Sequence, residues 1–451
     1  MPNFENCQPL IRFRKINLLR QQLNLTMNRR KFISSTVLGA AAFTILPRHV
    51  LGGNGFIAPS DRINLGYIGV GKQVGTLLRG HMALPETMIV AAADVDSSKL
   101  NRFLENANKA NAEKSGHQVQ GYKDYRELLG RKDVDAVIIA SPDHWHALHV
   151  VHAAKAGKDI YCEKPLALSI DEGRAMVDAV RKYKRVLQTG SMQRSYYNFR
   201  QAADLIRNGY IGDIKEVNVS VGEPVKECDL PWLEAPAHLD WDMWVGPSLY
   251  RGYHPVLSPL LDAKEWAMWR LYHGFGGGYI TDWGAHMFDI VQWALDMDHS
   301  GPVSFTPPDQ ANAKEGLYYT YKNGIKVHHK SWGKFNAIQF LGTEGKIEVS
   351  REFLTSDKEN LPKLVIPEKD RKVYYSENHY KDFVDAIKKR SKPICDVEIG
   401  HRTATVCNAI NIAYQLQKPL KWDPRKEEFD NAYANNLKTR PYRGTWDYRD
   451  F

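Results

Sequence analysis

Three ionisable residues have the types and spacing needed to move a proton to or from a hydroxyl group. Lys164 stands in Glu163-Lys164-Pro165 after an apolar segment, and Asp282 and His286 are four residues apart in a segment that predicts a helix over 282–295. Residues spaced i, i+4 face the same side of a helix. A histidine of ordinary pKa, about 6.5, suits a general base, a lysine stabilises a negative oxygen, and an aspartate orients either group. These three are therefore the predicted catalytic residues.

A glycine-rich turn between two apolar strands predicts a phosphate-binding site. The segment 63–68 reads as a strand, and Gly69-Val70-Gly71-Lys72-Gln73-Val74-Gly75 follows it directly. Gly69 permits a tight turn, and Gly71 lets the backbone approach a pyrophosphate at the N-terminus of the next helix. The third glycine, Gly75, is one position later than in the usual dinucleotide pattern, and Val74 holds its place.

The second strand of this unit, 88–93, ends at Asp94. A carboxylate there can accept a hydrogen bond from the 2′-hydroxyl of a ribose. It would also repel a 2′-phosphate. Asp94 therefore predicts NAD as the cofactor in preference to NADP.

Strands and helices alternate as far as residue 189, which predicts a doubly wound parallel sheet over 61–189. Ligands of such sheets bind outside the carboxyl ends of the strands. The residues at those ends form the predicted cofactor site. They are Gly69, Gly71, Gly75, Asp94, Pro142, His146, Glu163 and Lys164.

Beyond residue 190 the pattern changes to α+β, with a helix at 199–208, a strand at 214–221 and further strands between 317 and 350. We predict a second domain over 190–396, followed by a late helix and tail, 397–451, that pack back on the body. Tryptophans and tyrosines concentrate in 232–269. Sugar rings stack on such aromatic faces, but most of these side chains are expected to serve packing.

The chain resembles the glucose–fructose oxidoreductase and inositol dehydrogenase family, Gfo/Idh/MocA. The resemblance rests on Glu163-Lys164-Pro165 after a strand, on the G-G-G…D-x-G-x-H-x-x-D pattern of 276–289, and on the tail segment 413–424. It implies an N-terminal Rossmann domain and a C-terminal domain whose open, mostly antiparallel sheet forms one wall of the substrate site. It also implies that Lys164, Asp282 and His286 are the catalytic residues and that the chain forms a homo-oligomer.

A small carbohydrate is the predicted substrate. Candidates for its binding wall are Arg194, Tyr253, His254, Arg270 and Asp289, and a structural role for Asp289 fits the sequence equally well. His144 and His146 could form a metal pair, but no third ligand is evident in the sequence. We therefore predict no metal site and place this segment in a loop near the cofactor.

The first 60 residues predict an export signal. Asn28-Arg29-Arg30-Lys31-Phe32-Ile33 is a twin-arginine pattern, and a weakly apolar run, 34–46, follows it. We expect the true start to be Met27. The twin-arginine route carries folded proteins, so a periplasmic location and a cofactor loaded before export are predicted.

Net charge argues against nucleic acid as a partner. The chain carries +9, but residues 1–60 hold eight Lys and Arg against one acid, so the remainder is nearly neutral. No apolar run reaches the roughly 18 residues that a membrane span needs. Four cysteines after the leader leave one or two disulfides open, without assigning a pairing.

Three functions remain open from the sequence. The first is an exported, NAD-dependent oxidoreductase of a sugar, glycoside or cyclitol hydroxyl, which includes an enzyme that passes hydride between two sugars. The second is a glycoside hydrolase that uses tightly bound NAD for transient oxidation and elimination. The third is a non-catalytic regulator that binds dinucleotide and sugar. Retention of Lys164, Asp282 and His286 favours an enzyme.

Overall fold

The computed structural model describes residues 57–58, 61–114 and 117–451. The twin-arginine pattern, the apolar run after it and the predicted start at Met27 lie outside these residues. Among the residues described, no helix is long and apolar enough to cross a membrane. Cys162, Cys228, Cys395 and Cys407 are all free thiols, so the disulfides that the sequence left open are not formed.

The first layer is a six-stranded, all-parallel sheet in the order β3-β2-β1-β4-β5-β6. Its strands are β1 (Ile63–Ile68), β2 (Thr87–Ala93), β3 (Gln120–Tyr122), β4 (Ala136–Ile139), β5 (Asp159–Cys162) and β6 (Leu187–Thr189). Every residue of β2, β4, β5 and β6 is buried. Parallel strands covered on both faces have this continuous apolar character, and this strand order is that of a Rossmann fold.

Helices cover both faces of this sheet. They are α1 (Val74–Met82), α2 (Ser97–Lys114), α3 (Tyr125–Leu129), α4 (His146–Lys155) and α5 (Ile170–Lys182). Side chains of α3, α4 and α5 form one buried apolar cluster on the sheet, and side chains of α1 and α2 form another on the opposite face. The predicted doubly wound sheet is therefore confirmed.

The second layer is a nine-stranded sheet in the order β13-β12-β11-β7-β10-β9-β8-β14-β15. Only the β7–β10 pair is parallel, so the sheet is mostly antiparallel, as the family resemblance implied. Its strands are β7 (Ile214–Ser220), β8 (Ser304–Thr306), β9 (Tyr318–Thr320), β10 (Lys326–His329), β11 (Ala337–Gly342), β12 (Lys346–Val349), β13 (Leu354–Ser356), β14 (Leu420–Asp423) and β15 (Glu428–Phe429).

The remaining helices pack around this sheet and between the two layers. They are α6 (Tyr197–Arg207), α7 (Trp241–Val245), α8 (Gly278–Thr281), α9 (Gly284–Ala294), α10 (His379–Lys389), α11 (Val397–Leu416) and α12 (Ala432–Asn436). Side chains of α6, α9 and α11 form the largest apolar cluster with the second sheet.

Helix α11 joins the two layers. It packs on α5 of the first layer and on α9 of the second. Its Asn408 side chain donates to the Ala167 carbonyl near α5, and its Asn411 side chain donates to the Gly277 carbonyl just before α8. Helix α11 thereby fixes the segment that follows β5 relative to the segment between α8 and α9.

Candidate functional site

The glycine turn after β1 has the geometry of a phosphate cradle. Gly69 has φ of +78°, and a Cβ there would lie 2.5 Å from the Ser141 backbone nitrogen, so only glycine fits. A Cβ at Gly71 would meet no atom within 4 Å, so open space lies beside the turn. The N–H groups of Gly71, Lys72 and Gln73 donate to no group in the described part of the chain. Unpaired N–H groups at a helix N-terminus fit an anionic pyrophosphate.

Asp94 lies at the end of β2 beside this turn. One carboxylate oxygen accepts from the Val70 N–H at 2.7 Å, and the other accepts from the Asp96 N–H at 2.9 Å. Burial raises the pKa of Asp94, while the charge of Lys99 and these two hydrogen bonds oppose the rise. The carboxylate is thus fixed in the cleft, where it can accept from a ribose hydroxyl.

Gly75 differs from its predicted role. It is the second residue of α1, does not line the cleft, and a Cβ there would approach only the tip of the Arg79 side chain, at 3.8 Å. Val74, in the position of the usual third glycine, is buried and packs α1 onto the sheet. The predicted cofactor contact at Gly75 is therefore not supported by its position, because the first turn of α1 points it away from the cleft.

A segment of the second layer covers this cleft. Residues 257–270, here called the strap, line the same cleft as the glycine turn, Asp94 and Pro142. The Lys72 ammonium donates to the carbonyls of Ala263, Lys264 and Glu265 at 2.9, 3.0 and 3.4 Å. Contacts from both α2 and the glycine turn hold the strap, since Lys99 donates to the Ser258 hydroxyl at 2.7 Å.

Lys164 and Asp282 form an ion pair across the two layers. The Lys164 ammonium lies 2.5 Å from one Asp282 carboxylate oxygen and 3.1 Å from the Asp282 carbonyl. Although burial alone would raise the pKa of Asp282, the charges of Lys164 and Arg270 lower it overall. Two of the three ammonium N–H groups are occupied by Asp282, which leaves one for a ligand oxygen.

His286 lies in the first turn of α9 and is buried. Its Nδ1 atom is buried and has no hydrogen-bond partner in the described part of the chain. Burial, followed by the charges of Lys164 and Arg351, holds the pKa of His286 well below its ordinary value. The imidazole is therefore neutral at physiological pH and able to accept a proton.

Asp282 does not belong to the same helix as His286, contrary to the predicted helix over 282–295. The chain ends α8 at Thr281, bends at Asp282 with ψ of −79°, and begins α9 at Gly284. The bend leaves the Asp282 carbonyl free to accept from Lys164 instead of closing a helical turn.

Lys164, Asp282 and His286 line one cavity of about 680 Å³. Three other predicted residues lie there as well. Glu163 and His146 come from the first layer, and Arg270 comes from the strap, with its Nε atom 3.6 Å from the Asp282 carboxylate. The sequence prediction is correct in placing these side chains together.

Two carboxyl groups in this cavity have raised pKa values. Burial raises the pKa of Glu163 to about 6, against the lowering effects of the Lys164 charge and of a 3.3 Å hydrogen bond from Gln73. Burial also raises the pKa of Asp143 well above its ordinary value, although Lys164 and Arg270 lower it. The raised pKa favours the protonated form of Asp143, and sequence analysis gave this residue no role.

Arg194 and Asp289 do not form part of the substrate wall. They are fully buried, and the Arg194 guanidinium binds Asp289 at 2.8 Å and Asp298 at 2.8 and 2.9 Å. Thr403 of α11 also donates to Asp289. The predicted substrate contacts of both residues are corrected to a buried ion cluster between α9, α11 and the turn before α6.

Tyr253 and His254 line neither the cleft nor the cavity. Tyr253 packs edge-on against Trp241 with ring centres 5.2 Å apart. Of the aromatic side chains in 232–269, Trp266 and Trp269 line both spaces, and Trp244 lines the cleft, whereas Trp241 is buried. Packing accounts for Trp241 and Tyr253, whereas Trp232 and Tyr250 are exposed, so fewer of these side chains serve packing than the sequence analysis expected.

His146 and His144 bind backbone carbonyls. The His146 ring lies 2.8 Å from the Pro165 carbonyl and 3.0 Å from the Ser141 carbonyl, which joins the ends of β4 and β5. His144 binds the Trp244 carbonyl at 2.9 Å. Within the residues described, no group of three His, Cys, Asp or Glu side chains could hold a metal ion.

Sequence analysis missed several residues of these two spaces. Lys72 and Gln73 lie inside the glycine turn, where their contacts with the strap and with Glu163 depend on tertiary structure alone. Arg351 lies directly after a predicted strand, and its position at a strand end of the substrate-wall sheet was a signal that could have identified it.

Two family models match the chain. A model for an oxidoreductase family with an NAD-binding Rossmann fold, GFO_IDH_MocA, matches residues 63–191. A second model, for the C-terminal alpha/beta domain of an oxidoreductase family, matches residues 223–448.

Individual proteins agree with these models. An uncharacterised oxidoreductase of Bacillus subtilis is 32% identical over 384 residues, which cover 80% of this chain and 97% of that protein. A glycosyl hydrolase family 109 protein of a Shewanella species is 28% identical over 188 residues, 40% of each chain. The crystal structure of an aldose–aldose oxidoreductase from Caulobacter crescentus has the same fold, with a TM-score of 0.56, 17% identity, and coverage of 80% of this chain and 99% of that one.

Proposed function

Since the chain belongs to the Gfo/Idh/MocA oxidoreductase family, we propose that it oxidises a hydroxyl of a sugar, glycoside or cyclitol by hydride transfer to a bound NAD. The observation that carries this proposal is the placement of Lys164, Asp282 and His286 in one cavity. That cavity shares Gln73, Ser141 and the strap with the cleft of the glycine turn. A dinucleotide in the cleft would supply the hydride acceptor beside these three side chains.

NAD is the proposed cofactor because, among the described residues that line the cleft, every lysine near Asp94 already has a partner. Lys99 pairs with Asp96 at 3.2 Å, and Lys123 pairs with Asp240 at 2.7 Å. The Lys72 ammonium is committed to the carbonyls of the strap. A 2′-phosphate would face the Asp94 carboxylate without a compensating positive charge, whereas a ribose hydroxyl could donate to it.

The three side chains have separate proposed roles. The neutral His286 lines the cavity and accepts the proton of the substrate hydroxyl. The third N–H of Lys164 donates to the same oxygen and stabilises its negative charge. Asp282 holds the ammonium in position through two hydrogen bonds.

Replacement of Lys164 by Met tests this proposal. The variant should retain bound NAD, because Lys164 lies outside the cleft of the glycine turn. Its rate of cofactor reduction by sugars, followed at 340 nm, should fall by about 10²–10⁴-fold. Lys155→Met, a matched change of an exposed lysine on α4, should leave the rate unchanged. If Lys164→Met turns over at the rate of the wild type, the proposed role is wrong.

Cofactor retention through many turnovers is part of the proposal. Support comes from the strap, which covers the cleft and is closed at its base by a 2.7 Å hydrogen bond from the Met268 N–H to the Val256 carbonyl. A cofactor that lies beneath such a cover should dissociate slowly. A retained cofactor needs a second substrate to reoxidise it, which a second sugar could provide.

Glycoside cleavage is a second candidate function, favoured by the carboxyl group of Asp143 in the same cavity, whose pKa is raised. Oxidation of a sugar hydroxyl to a ketone makes the neighbouring C–H acidic. Elimination, with a base taking the proton from that C–H, would break the glycosidic bond, and Asp143 could protonate the departing oxygen. Addition of water to the resulting enone and return of the hydride to the sugar would complete a net hydrolysis. A 340 nm absorbance that rises and then decays as the glycoside is cleaved would favour this function. A persistent band with intact glycoside would favour net oxidation.

A further inference from the structure

Arg351 places a guanidinium group in the cavity that holds Lys164, Asp282 and His286. It lies in the tight turn between β12 and β13, where the Ser350 N–H donates to the Phe353 carbonyl at 2.9 Å. The Asn198 side chain of α6 donates to the carbonyls of Ser350 and Arg351, both at 3.3 Å. The backbone of Arg351 is therefore held by two separate elements.

The side chain of Arg351 is oriented but has no polar partner. Its guanidinium carbon lies 4.5 Å from the ring centre of Trp283, which fixes the plane of the group by stacking. Its Nε atom is buried and makes no hydrogen bond, and no carboxylate lies within ion-pair distance among the residues described. The terminal N–H groups of the guanidinium make no hydrogen bond either among the residues described, so an anionic acceptor from a ligand in the cavity would be favourable there.

The other two cations of the cavity differ from Arg351. Lys164 is paired with Asp282 at 2.5 Å. Arg270 lies 3.6 Å from the same carboxylate and donates to the Ala267 carbonyl. Among the described residues that line this cavity, Arg351 is the one cation whose side chain makes neither a hydrogen bond nor an ion pair.

The charges that face the cavity leave Arg351 uncompensated in its buried part. Asp282 pairs with Lys164 and lies 3.6 Å from Arg270, Glu163 accepts from Gln73, and neither these two acids nor Asp143 forms an ion pair with Arg351 among the residues described. Glu265 also lines the cavity, but it belongs to the exposed part of the strap. An anionic group of a ligand would restore neutrality there.

We propose that Arg351 is an anion-binding residue of the substrate site, and that the substrate carries a carboxylate or phosphate group on its sugar. This inference rests on the proposed function. The planar guanidinium fork binds two oxygens of either group at once, which a sugar hydroxyl does not offer. Arg351 does not line the cleft of the glycine turn, so the pyrophosphate of the cofactor is not its ligand.

Titration calorimetry of the holo-protein tests this proposal without turnover. The probes are matched pairs that differ in one group: D-glucuronate and D-galacturonate against D-glucose and D-galactose, with glucose 6-phosphate as the phosphate arm. At least one anionic sugar should bind about tenfold or more tightly than its neutral partner, as expected for a charged hydrogen-bonded pair. The arm with the larger preference identifies the anionic group.

Variants assign the preference to Arg351. In Arg351→Gln, the affinity for an anionic sugar should exceed that for its neutral partner by less than about threefold. Arg351→Lys keeps the positive charge but loses the planar guanidinium group, so it should retain part of the preference. Arg371→Gln is the matched control, because Arg371 also stacks on an aromatic ring, Tyr375 at 4.3 Å, but lies outside the cavity. Its ratio should equal that of the wild type.

Two results would overturn the proposal: no anionic sugar binds more tightly than its neutral partner, or the preference survives in Arg351→Gln. A second readout, the reduction of bound cofactor at 340 nm, separates this proposal from the proposed function. A preference that depends on Arg351, with no reduction by any sugar, would retain the anion site and reject the oxidoreductase. Reduction of the bound cofactor by neutral sugars, with no tighter binding of anionic sugars, would retain the oxidoreductase and reject the anion site.

Discussion

Glu163 is the buried carboxyl group whose titration should be visible in the stability of the protein. Burial raises its pKa from an ordinary 4.5 to about 6. The fold therefore favours the neutral acid, and this contribution is complete below the unfolded pKa and lost as the pH rises through about 6. At higher pH the native protein contains a buried carboxylate that is less well solvated than in the unfolded chain.

Replacement of Glu163 by Gln should remove this dependence. Because Gln cannot ionise, the stability of Glu163→Gln relative to the wild type should increase between pH 4.5 and 7.5. A shift of about 1.5 pKa units corresponds to roughly 2 kcal/mol. Melting temperatures of both proteins across this range provide the measurement. A difference that stays flat with pH would show that Glu163 ionises as freely in the native protein as in the unfolded chain.

The sequence identified side chains that line the cavity. It did not distinguish them from polar side chains that are buried in the core away from any cavity. Glu163-Lys164-Pro165 and the pair Asp282 and His286 were identifiable because their spacing is specific. Arg194 and Asp289 looked equally suited to bind a substrate, yet they neutralise one another in the core. No local signal separates the two cases, because the burial of Arg194 depends on α9 and α11, which are distant in sequence.

The glycine turn between β1 and α1 contains three glycines that should respond differently to Ala. Gly69→Ala combines a positive φ with a 2.5 Å approach to the Ser141 backbone, so it should lower the melting temperature and abolish cofactor binding. Gly71→Ala should fold normally and lose cofactor, because its methyl group would enter the open space beside the turn. Gly75→Ala should retain cofactor and gain up to about 1 kcal/mol as a better helix former.

Melting temperature and the amount of nucleotide released on denaturation distinguish these three outcomes. If Gly71→Ala retains a full complement of nucleotide, the turn is not the cradle of the pyrophosphate. If Gly75→Ala loses it, the position of Gly75 in α1 has been misjudged. Because all three variants make the same Gly→Ala change within seven residues of the chain, each serves as a control for the other two.

The strap should control how fast the cofactor leaves. Lys72→Met removes three hydrogen bonds that hold residues 263–265, so the dissociation rate of bound nucleotide should rise about tenfold or more. Lys264→Met is the matched control, because Lys264 is an exposed lysine on the same segment. Displacement by excess labelled NAD gives the rate.

Lys72 also carries a positive charge near the glycine turn, and this charge could act by attracting the cofactor. Loss of attraction would slow association and weaken its dependence on salt, whereas loss of the strap contact would speed dissociation. An effect confined to the association rate would therefore contradict the role of the strap.

The sequence predicted regular elements more reliably than their irregular connections. The bounds of β1 are the predicted ones, because a continuous apolar run and the glycine turn after it define the strand. The polar helix α2 and the three-residue strand β3 were not identified, since neither has a strong apolar pattern. The strap was recognised only as irregular and aromatic, because its position over the cleft results from contacts with Lys72 and Lys99.

At the scale of the whole molecule, α11 packs against both layers, and the C-terminal tail packs against the first layer beside the cofactor cleft. Arg440 binds Glu172 of α5 at 2.7 Å and the His144 carbonyl at 2.7 Å. Trp446 packs edge-on against Trp145, which lines the cofactor cleft. The cleft is therefore supported by residues from the end of the chain, and cofactor binding should depend on a fully folded protein.

This dependence bears on the proposed export of the protein through a twin-arginine signal. The four cysteines of the described residues are free, and Cys162, Cys395 and Cys407 are buried. A cofactor enclosed by the strap is best loaded where NAD is available, which is before export. We expect the periplasmic form to be folded and to contain nucleotide.

Substitution of both Arg29 and Arg30 by Lys tests this expectation. The double variant should accumulate inside the cell as a folded protein with bound nucleotide, and its periplasmic form should be lost. The matched control is Arg48→Lys, which alters an arginine that lies after Met27 but outside the motif and should leave export unchanged. Cell fractionation with nucleotide analysis of each fraction gives the result. Equal export of both variants, or a periplasmic form that lacks nucleotide, would contradict the proposal that the protein crosses the membrane already folded around its cofactor.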